Sequence, residues 1–152
     1  MAVWQTSYLD WMERLDSAVS EVFEMMLQRS CVPTEDASIT HDSISAQILF
    51  SGAVHGKCVL FASRAVACVT AEVLLGTASE PDSPIVEDAV GELCNMIAGG
   101  WKSKLGSAEA ACAISPPKIS THQIPEFRLA TETDFRRFYS FEGHVFGVQM
   151  SF

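Results

Sequence analysis

The sequence is poor in basic residues: ten Lys and Arg stand against nineteen Asp and Glu, which gives a formal net charge of −9. A nucleic-acid-binding protein needs a basic face that neutralises phosphates, and ten basic residues are too few to build one easily. The same shortage argues against anionic membrane surfaces. We therefore expect neither nucleic acid nor a membrane as a partner.

Long apolar runs and targeting signals are also missing. No stretch approaches the ~18 consecutive apolar residues of a transmembrane helix, and the first residues lack the charged and apolar regions of a signal peptide. These absences predict a cytoplasmic protein. The chain has 152 residues, 48% of them hydrophobic, which is enough for a core of its own. Because no long linker divides it, we expect one domain over residues 1–152.

Metal-binding and nucleophile motifs are absent as well. The five cysteines are widely spaced without a C-x-x-C pair, and the four histidines are scattered, with no two of them four residues apart. Neither a disulfide framework nor a zinc site is therefore expected. The sequence contains no Gly-x-Ser-x-Gly elbow and no glycine-rich phosphate loop. We expect buried thiols and no metal ligands in this chain.

Hydrophobic periodicity predicts a helix, two strands, two helices and then three or four strands. The first helix is expected over residues 7–29, with Pro33 after its end and a core-facing stripe of Trp11, Leu15, Ala18, Val22 and Met25. A hairpin should follow, with strands over 43–51 and 57–62. Ser63 then resembles the N-cap of a helix that runs to Leu75 and stops at Gly76. An acidic linker follows at 77–82.

The last third of the chain is strand-like. Short strands are expected over 110–115 and 127–131, and a hairpin over 135–141 and 144–152 around Glu142 and Gly143. The element order predicts an α/β (α+β) sandwich, with a largely antiparallel sheet and about three helices.

The third helix carries the most informative pattern. Ser83 is its expected N-cap, Pro84 its first residue and Gly106 its end. At 3.6 residues per turn, five residues fall within an arc of roughly 80°; we call them the α3 stripe: Asp88, Glu92, Asn95, Gly99 and Lys102. The opposite side is apolar and should face the core: Val86, Val90, Leu93, Ile97, Trp101 and Leu105.

Glycines distinguish this helix from an ordinary solvated one. A Glu and an Asn at i, i+3 are common on exposed helices, so the spacing alone leaves a plain polar face open. Gly91, Gly99 and Gly100, however, each cost about 1 kcal/mol relative to alanine inside a helix. Close approach of another backbone to the polar face is the natural reason to tolerate that cost, and it favours a functional surface.

The segment from Val86 to Gly99 closely resembles the signature helix of the CheC/CheX/FliY chemotaxis phosphatases: Asp or Ser, three residues, Glu, two residues, Asn, and usually Met-Ile-Ala-Gly. Weaker similarity covers nearly the whole chain. Residues 17–24 repeat the spacing, but Glu24 stands where a second active motif needs Asn. Because only one motif is intact, the chain looks most like CheX.

The resemblance implies a phosphatase that acts on the phosphoaspartate of a CheY-like receiver domain. Asn95 would orient the attacking water and Glu92 would pair with the receiver's active-site lysine, while Asp88, Gly99 and Lys102 would contact the partner. This chain would need no cofactor, because Mg²⁺ is expected on the receiver.

The resemblance also implies a homodimer. We expect the dimer to form through the last strand. As an exposed edge of the sheet, this strand would be available to pair with a second copy. The alternative function is a non-catalytic receiver-binding or scaffold module, related to the middle domains of the flagellar switch. The sequence identifies neither the receiver nor the pathway.

Overall fold

The computed structural model describes residues 2–36, 39, 43–76, 80, 83–106, 111–121 and 134–152, with side chains from residue 9 onward. Over these residues, three α-helices pack through an apolar core against an antiparallel sheet of seven strands. The predicted α+β class is confirmed. The helices are α1 (Ala2–Val22), α2 (Arg64–Leu75) and α3 (Pro84–Ser103); a π-turn (Phe23–Leu27) extends α1. The strands are β1 (Val32–Thr34), β2 (Ser43–Gly52), β3 (Gly56–Ser63), β4 (Cys112–Ile114), β5 (Lys118–Thr121), β6 (Phe135–Phe141) and β7 (His144–Ser151).

The strand order is β1-β6-β7-β3-β2-β4, and β5 pairs with the same edge of β2 as β4 does. β7 therefore lies between β3 and β6. The expectation that the last strand is an exposed edge is wrong. An alternating strand with one buried face has the same sequence pattern at an edge and in the middle of a sheet, so periodicity cannot separate the two.

Local signals placed most of the elements correctly. The Ser63 hydroxyl accepts from the backbone N–H of Val66 at the start of α2, and Gly76 ends that helix with φ 72°. The β6–β7 hairpin turns through Glu142 and Gly143 at φ 50° and 80°, the pair of positive values that a two-residue type I′ turn requires.

The end of α1 departs from the predicted stripe. Leu15 and Ala18 are buried as expected, but Met25 is 76% exposed, and Phe23 is buried in its place. The cause is the π-turn, whose i→i+5 bonds place an extra residue in the turn and rotate the buried face. Leu27 is buried too, and the helical segment ends there, two residues before the predicted position 29.

Two short strands were missed, and the end of α3 was misplaced. β1 and β5 are only three and four residues long, too short for a periodic signal. Pro33, expected only to follow the first helix, lies within β1, which pairs on one side with β6; a proline is tolerated in such an edge strand. α3 ends at Ser103 with Lys104 as its C-cap rather than at Gly106. The strand expected over 127–131 lies outside the described residues, as does most of the linker at 77–82.

A polar cluster fixes α1 against the sheet. Arg137 of β6 donates two hydrogen bonds to the Asp16 carboxylate, from Nε at 3.1 Å and from Nη2 at 2.6 Å. The hydroxyl of Tyr139 donates a third at 2.7 Å. Burial and the neighbouring carboxylate raise the pKa of Tyr139 well above its usual value, so this hydroxyl stays protonated and continues to donate.

Candidate functional site

The candidate site is the solvent-facing side of α3, and the start of this helix is set as the sequence predicts. Ser83 accepts the backbone N–H of Ile85 at 3.2 Å, and Pro84 occupies the first turn. The side opposite the site lies in the core, where Val86 and Trp101 are fully buried. The other predicted apolar positions, Val90, Leu93, Ile97 and Leu105, are buried too.

Trp101 anchors the second half of the helix. Its indole Nε1 donates to the carbonyl oxygen of Trp11 at 3.0 Å, and its ring packs against Phe152 and Phe50 with centroids 5.5 and 5.2 Å apart. α3 is thereby fixed to α1 and to the sheet at once, and the side chains on its outer face project from a rigid support.

The α3 stripe lies on that outer face. Asp88 and Glu92 are exposed, and Asn95, Gly99 and Lys102 are partly exposed. Among the described residues, the side chains of Asp88, Glu92, Asn95 and Lys102 form no hydrogen bond or ion pair, so their polar groups remain available to a partner. The structure thus brings the five predicted site residues together along one face, while their roles remain predictions.

Cys94 does not belong to the site, although it lies between Glu92 and Asn95 in the sequence. Its thiol points into the core, 3.5 Å from the carbonyl oxygen of Ala46. The hydrogen bond with the Cys94 thiol, together with burial, raises the pKa of Cys58, and burial raises the pKa of Cys31 to about 12. These three thiols and that of Cys112 are buried as expected, but Cys68 is only half-buried. Over the described part of the chain, no three His, Cys, Asp or Glu side chains are grouped to hold a metal ion.

The three glycines of α3 have different surroundings. A methyl group built on Gly99 would meet no atom within 4 Å, whereas one on Gly100 would lie 3.5 Å from Cβ of Ala18. On Gly91 it would lie 3.2 Å from Cγ of Pro117 and 3.3 Å from Cδ1 of Ile119. Close approach within this chain therefore accounts for Gly91, whereas a methyl group at Gly100 would make an ordinary van der Waals contact. Of the three, only Gly99 keeps the open space that approach by a partner requires.

The corresponding face of α1 is arranged differently. The carboxylate of Glu21 accepts a hydrogen bond from Nζ of Lys104 at 2.7 Å, so a lysine of this chain already engages it. Glu24 is exposed but lies in the π-turn. The first copy of the motif thus lacks both the free carboxylate and the regular helix of the second.

The residue-by-residue prediction omitted two neighbours of the stripe. Ile85 is 49% exposed and lies two helical turns before Glu92 on the same face; its place on the outer face was visible in the sequence. Pro117 lies against Gly91, and no local sequence signal gives this contact, because it depends on how β4 and β5 pair with β2.

Comparison with known proteins gives a family and a fold. Residues 44–136 match the family described as "Chemotaxis phosphatase CheX". No curated protein matches the sequence.

Among the described residues, no helix is long and apolar enough to cross a membrane.

Three solved structures illustrate the fold. The chemotaxis protein CheX from Vibrio vulnificus superposes with a TM-score of 0.76 at 17% identity, covering 92% of this chain and 94% of that one. CheX in the CheX–CheY–BeF₃–Mg²⁺ complex from Borrelia burgdorferi gives 0.67 at 18% identity, over 93% and 96%. The FliM middle domain from Vibrio alginolyticus gives 0.61 at 9% identity, over 94% and 91%. At these identities the likeness shows the fold alone.

Proposed function

The chain belongs to the CheX family of chemotaxis phosphatases, and on that basis we propose that it hydrolyses the aspartyl phosphate of a CheY-like receiver domain. The observation that carries the proposal is the α3 stripe. There Glu92 and Asn95 project from a helix fixed by the core, and neither has a polar partner in the described part of the chain. A CheX relative of the same fold is known in complex with CheY, BeF₃ and Mg²⁺, which supports a receiver as the partner.

Asn95 is proposed to orient the attacking water. Its carboxamide both donates and accepts hydrogen bonds, so it can hold a water molecule in line with phosphorus while the receiver supplies the phosphoaspartate and Mg²⁺. The water oxygen bonds to phosphorus, the bond from phosphorus to the aspartyl oxygen breaks, and the carboxylate leaves. The water protons go to solvent and to the phosphate. No cofactor is proposed for this chain.

Glu92 is proposed to pair with the receiver's active-site lysine. Its carboxylate is exposed and has no partner among the described residues, so a lysine ammonium can approach it and form a charge-assisted hydrogen bond. Asp88 and Lys102, at the two ends of the stripe, would contact the receiver beside this pair. Gly99 would leave room for its backbone.

The decisive measurement is the lifetime of a phosphorylated CheY-type receiver in Mg²⁺, with and without this protein. Asn95→Ala should remove most of the acceleration, on the order of a hundredfold, with little change in unfolding temperature because the side chain is on the surface. Glu92→Gln keeps the shape of the side chain but removes its charge, so it should weaken docking of the receiver in addition to lowering the rate. Glu87→Ala, on the same helix but off the stripe, is the matched control. Full activity of Asn95→Ala would refute the assignment.

A non-catalytic scaffold remains the second candidate, and the fold shared with the FliM middle domain is the observation that favours it. A scaffold would bind the phosphorylated receiver without shortening its half-life. The presence of Asn95, rather than the Glu of the first copy, favours the enzyme.

Homodimerisation is a separate proposal, drawn from the family resemblance and no longer from the last strand. Light scattering at tens of micromolar, a working range on the affinity scale, should give twice the mass of the chain. A monomer at that concentration would count against a dimer.

A further inference from the structure

Between β4 and β5 the chain bulges. Phe50 pairs with Ile114, and Gln47 pairs with Lys118. Two residues of β2, Ile48 and Leu49, therefore face the three residues at 115–117. One extra residue on one strand is a β-bulge, a feature that often lies beside active sites and redirects side chains there.

Ser115 and the prolines hold this bulge in place. The Ser115 hydroxyl accepts the backbone N–H of Leu49 at 2.9 Å, and the Ser115 N–H donates to the Leu49 carbonyl, also at 2.9 Å. Pro116 and Pro117 have no N–H to offer β2, so the chain leaves the ladder at this point. The extra residue also shifts the alternation of side chains between the two faces of the sheet. Ile119, which pairs with Ala46, therefore points to the same, helix-facing side as Ala46 does.

The bulge brings Pro117 onto α3 at Gly91. The contact is so close that a methyl group at Gly91 would lie 3.2 Å from Cγ of Pro117, inside the ~3.5–4.0 Å of an ordinary carbon–carbon contact. Gly91 is buried there. The glycine at this position lets the proline ring lie a few tenths of an ångström nearer to the helix than a Cβ would allow.

Asn95 follows Gly91 by one helical turn, on the same flank of α3. Side chains on an α-helix lean towards its N-terminus and cover the preceding turn. From this general lean we expect the Asn95 carboxamide to extend towards the space above Gly91, which has no side chain of its own and which the ring of Pro117 borders. Asn95 is partly exposed whereas Glu92 is exposed, which agrees with a neighbour on the flank of Asn95.

We propose that Pro117 is a positioning residue for Asn95: its ring, delivered by the bulge and admitted by Gly91, limits the rotamers of the carboxamide before a receiver docks. The inference rests on the proposed function of Asn95. A carboxamide held in advance loses less freedom when it orients the attacking water in the transition state, and immobilising a free side chain at that step costs on the order of tenfold in kcat. Pro117 thus speeds the chemical step without touching the phosphoryl group.

The test combines kinetics with a spectroscopic readout. Pro117→Ala should lower kcat for receiver dephosphorylation by on the order of tenfold, while KM and affinity for the beryllofluoride-loaded receiver stay unchanged. Pro116→Ala is the matched control, since the contacts of Gly91 involve Pro117 and Ile119. The same Pro117→Ala change in an Asn95→Ala background should have no further effect, because Pro117 acts through Asn95.

The second readout needs no receiver. The side-chain amide of Asn95, followed by NMR in the isolated protein, should lose order in Pro117→Ala and keep it in Pro116→Ala. Unchanged amide order would overturn the proposal, and so would an equal rate loss in the Asn95→Ala background. If Pro117→Ala lowers the unfolding temperature, Pro117→Val keeps bulk at the site and should restore amide order. If Asn95→Ala itself is fully active, the proposed function fails, and the NMR result still decides whether Pro117 orders Asn95.

Discussion

A leucine at Gly99 is expected to abolish receiver dephosphorylation while the protein folds as well as before. Gly99 lies one helical turn beyond Asn95 on the α3 stripe, and a methyl group there would meet no described atom within 4 Å beyond the adjacent backbone of the helix itself. Leucine is the better helix former by up to ~1 kcal/mol, so the unfolding temperature should stay the same or rise by roughly 2–4 °C for a chain of this size.

The kinetic effect follows from displacement. If a receiver backbone packs against the stripe at Gly99, a leucine side chain holds it away from Asn95, and a shift of about 1 Å costs on the order of a hundredfold in rate. Phosphate loss from a CheY-type receiver and thermal unfolding, measured on the same preparations, separate the two effects.

Gly100→Leu is the matched control with the opposite expectation. Cβ of Ala18 lies 3.5 Å from a methyl group at Gly100, so the larger side chain must push α1 away, and such overpacking typically costs about 1–3 kcal/mol. This variant should unfold earlier. A destabilised Gly99→Leu, or one as active as the parent, would refute the idea that Gly99 keeps space for a partner.

Three further predictions concern α1. Glu21→Ala should leave phosphatase activity near the parent level, and losing the partly exposed pair with Lys104 should cost at most about 1 kcal/mol of unfolding free energy; a large activity loss without unfolding would show that the first helix is catalytic. Asp16→Asn weakens the Arg137 and Tyr139 hydrogen bonds, so denaturant titration should show about 1–2 kcal/mol of destabilisation with normal activity in the folded protein. Phe23→Ala should lower the free energy of unfolding by about 3–5 kcal/mol, whereas Met25→Ala should change it little, both measured by denaturant titration. A larger loss in Met25→Ala than in Phe23→Ala would contradict the π-turn.

How much of this structure was predictable depends on how local each feature is. The start of α3, its buried side and its polar stripe follow from a cap, a proline and a 3.6-residue period, all within about twenty neighbouring residues, and the structure has them as predicted. The hairpin around Glu142 and Gly143 is equally local, because two residues with positive φ fix the turn.

The features that were missed depend on distant parts of the chain. Whether β7 is an edge or a central strand is decided by β3, more than eighty residues earlier. The π-turn is stabilised because it buries Phe23 against Phe141 and Phe146, with ring centroids 5.0 and 5.2 Å away. The contact of Pro117 with Gly91 needs both a bulged strand pairing and a packed helix. No stretch of about twenty residues, the range over which the local signals act, contains these partners together.

The prediction that the first motif is inactive has a structural basis beyond the missing asparagine, and this leads to a last prediction. Glu21 is engaged by Lys104, and the π-turn that begins at Phe23 changes the angle between Glu21 and Glu24 from the one that relates Glu92 to Asn95. Glu24→Asn introduces the asparagine that the first motif lacks. In an Asn95→Ala background it should nevertheless fail to restore phosphatase activity. The measurement is receiver dephosphorylation by the double variant, with Asn95→Ala alone as control. Recovered activity would show that the side-chain identity alone had silenced the first helix, and that neither the lysine nor the turn matters.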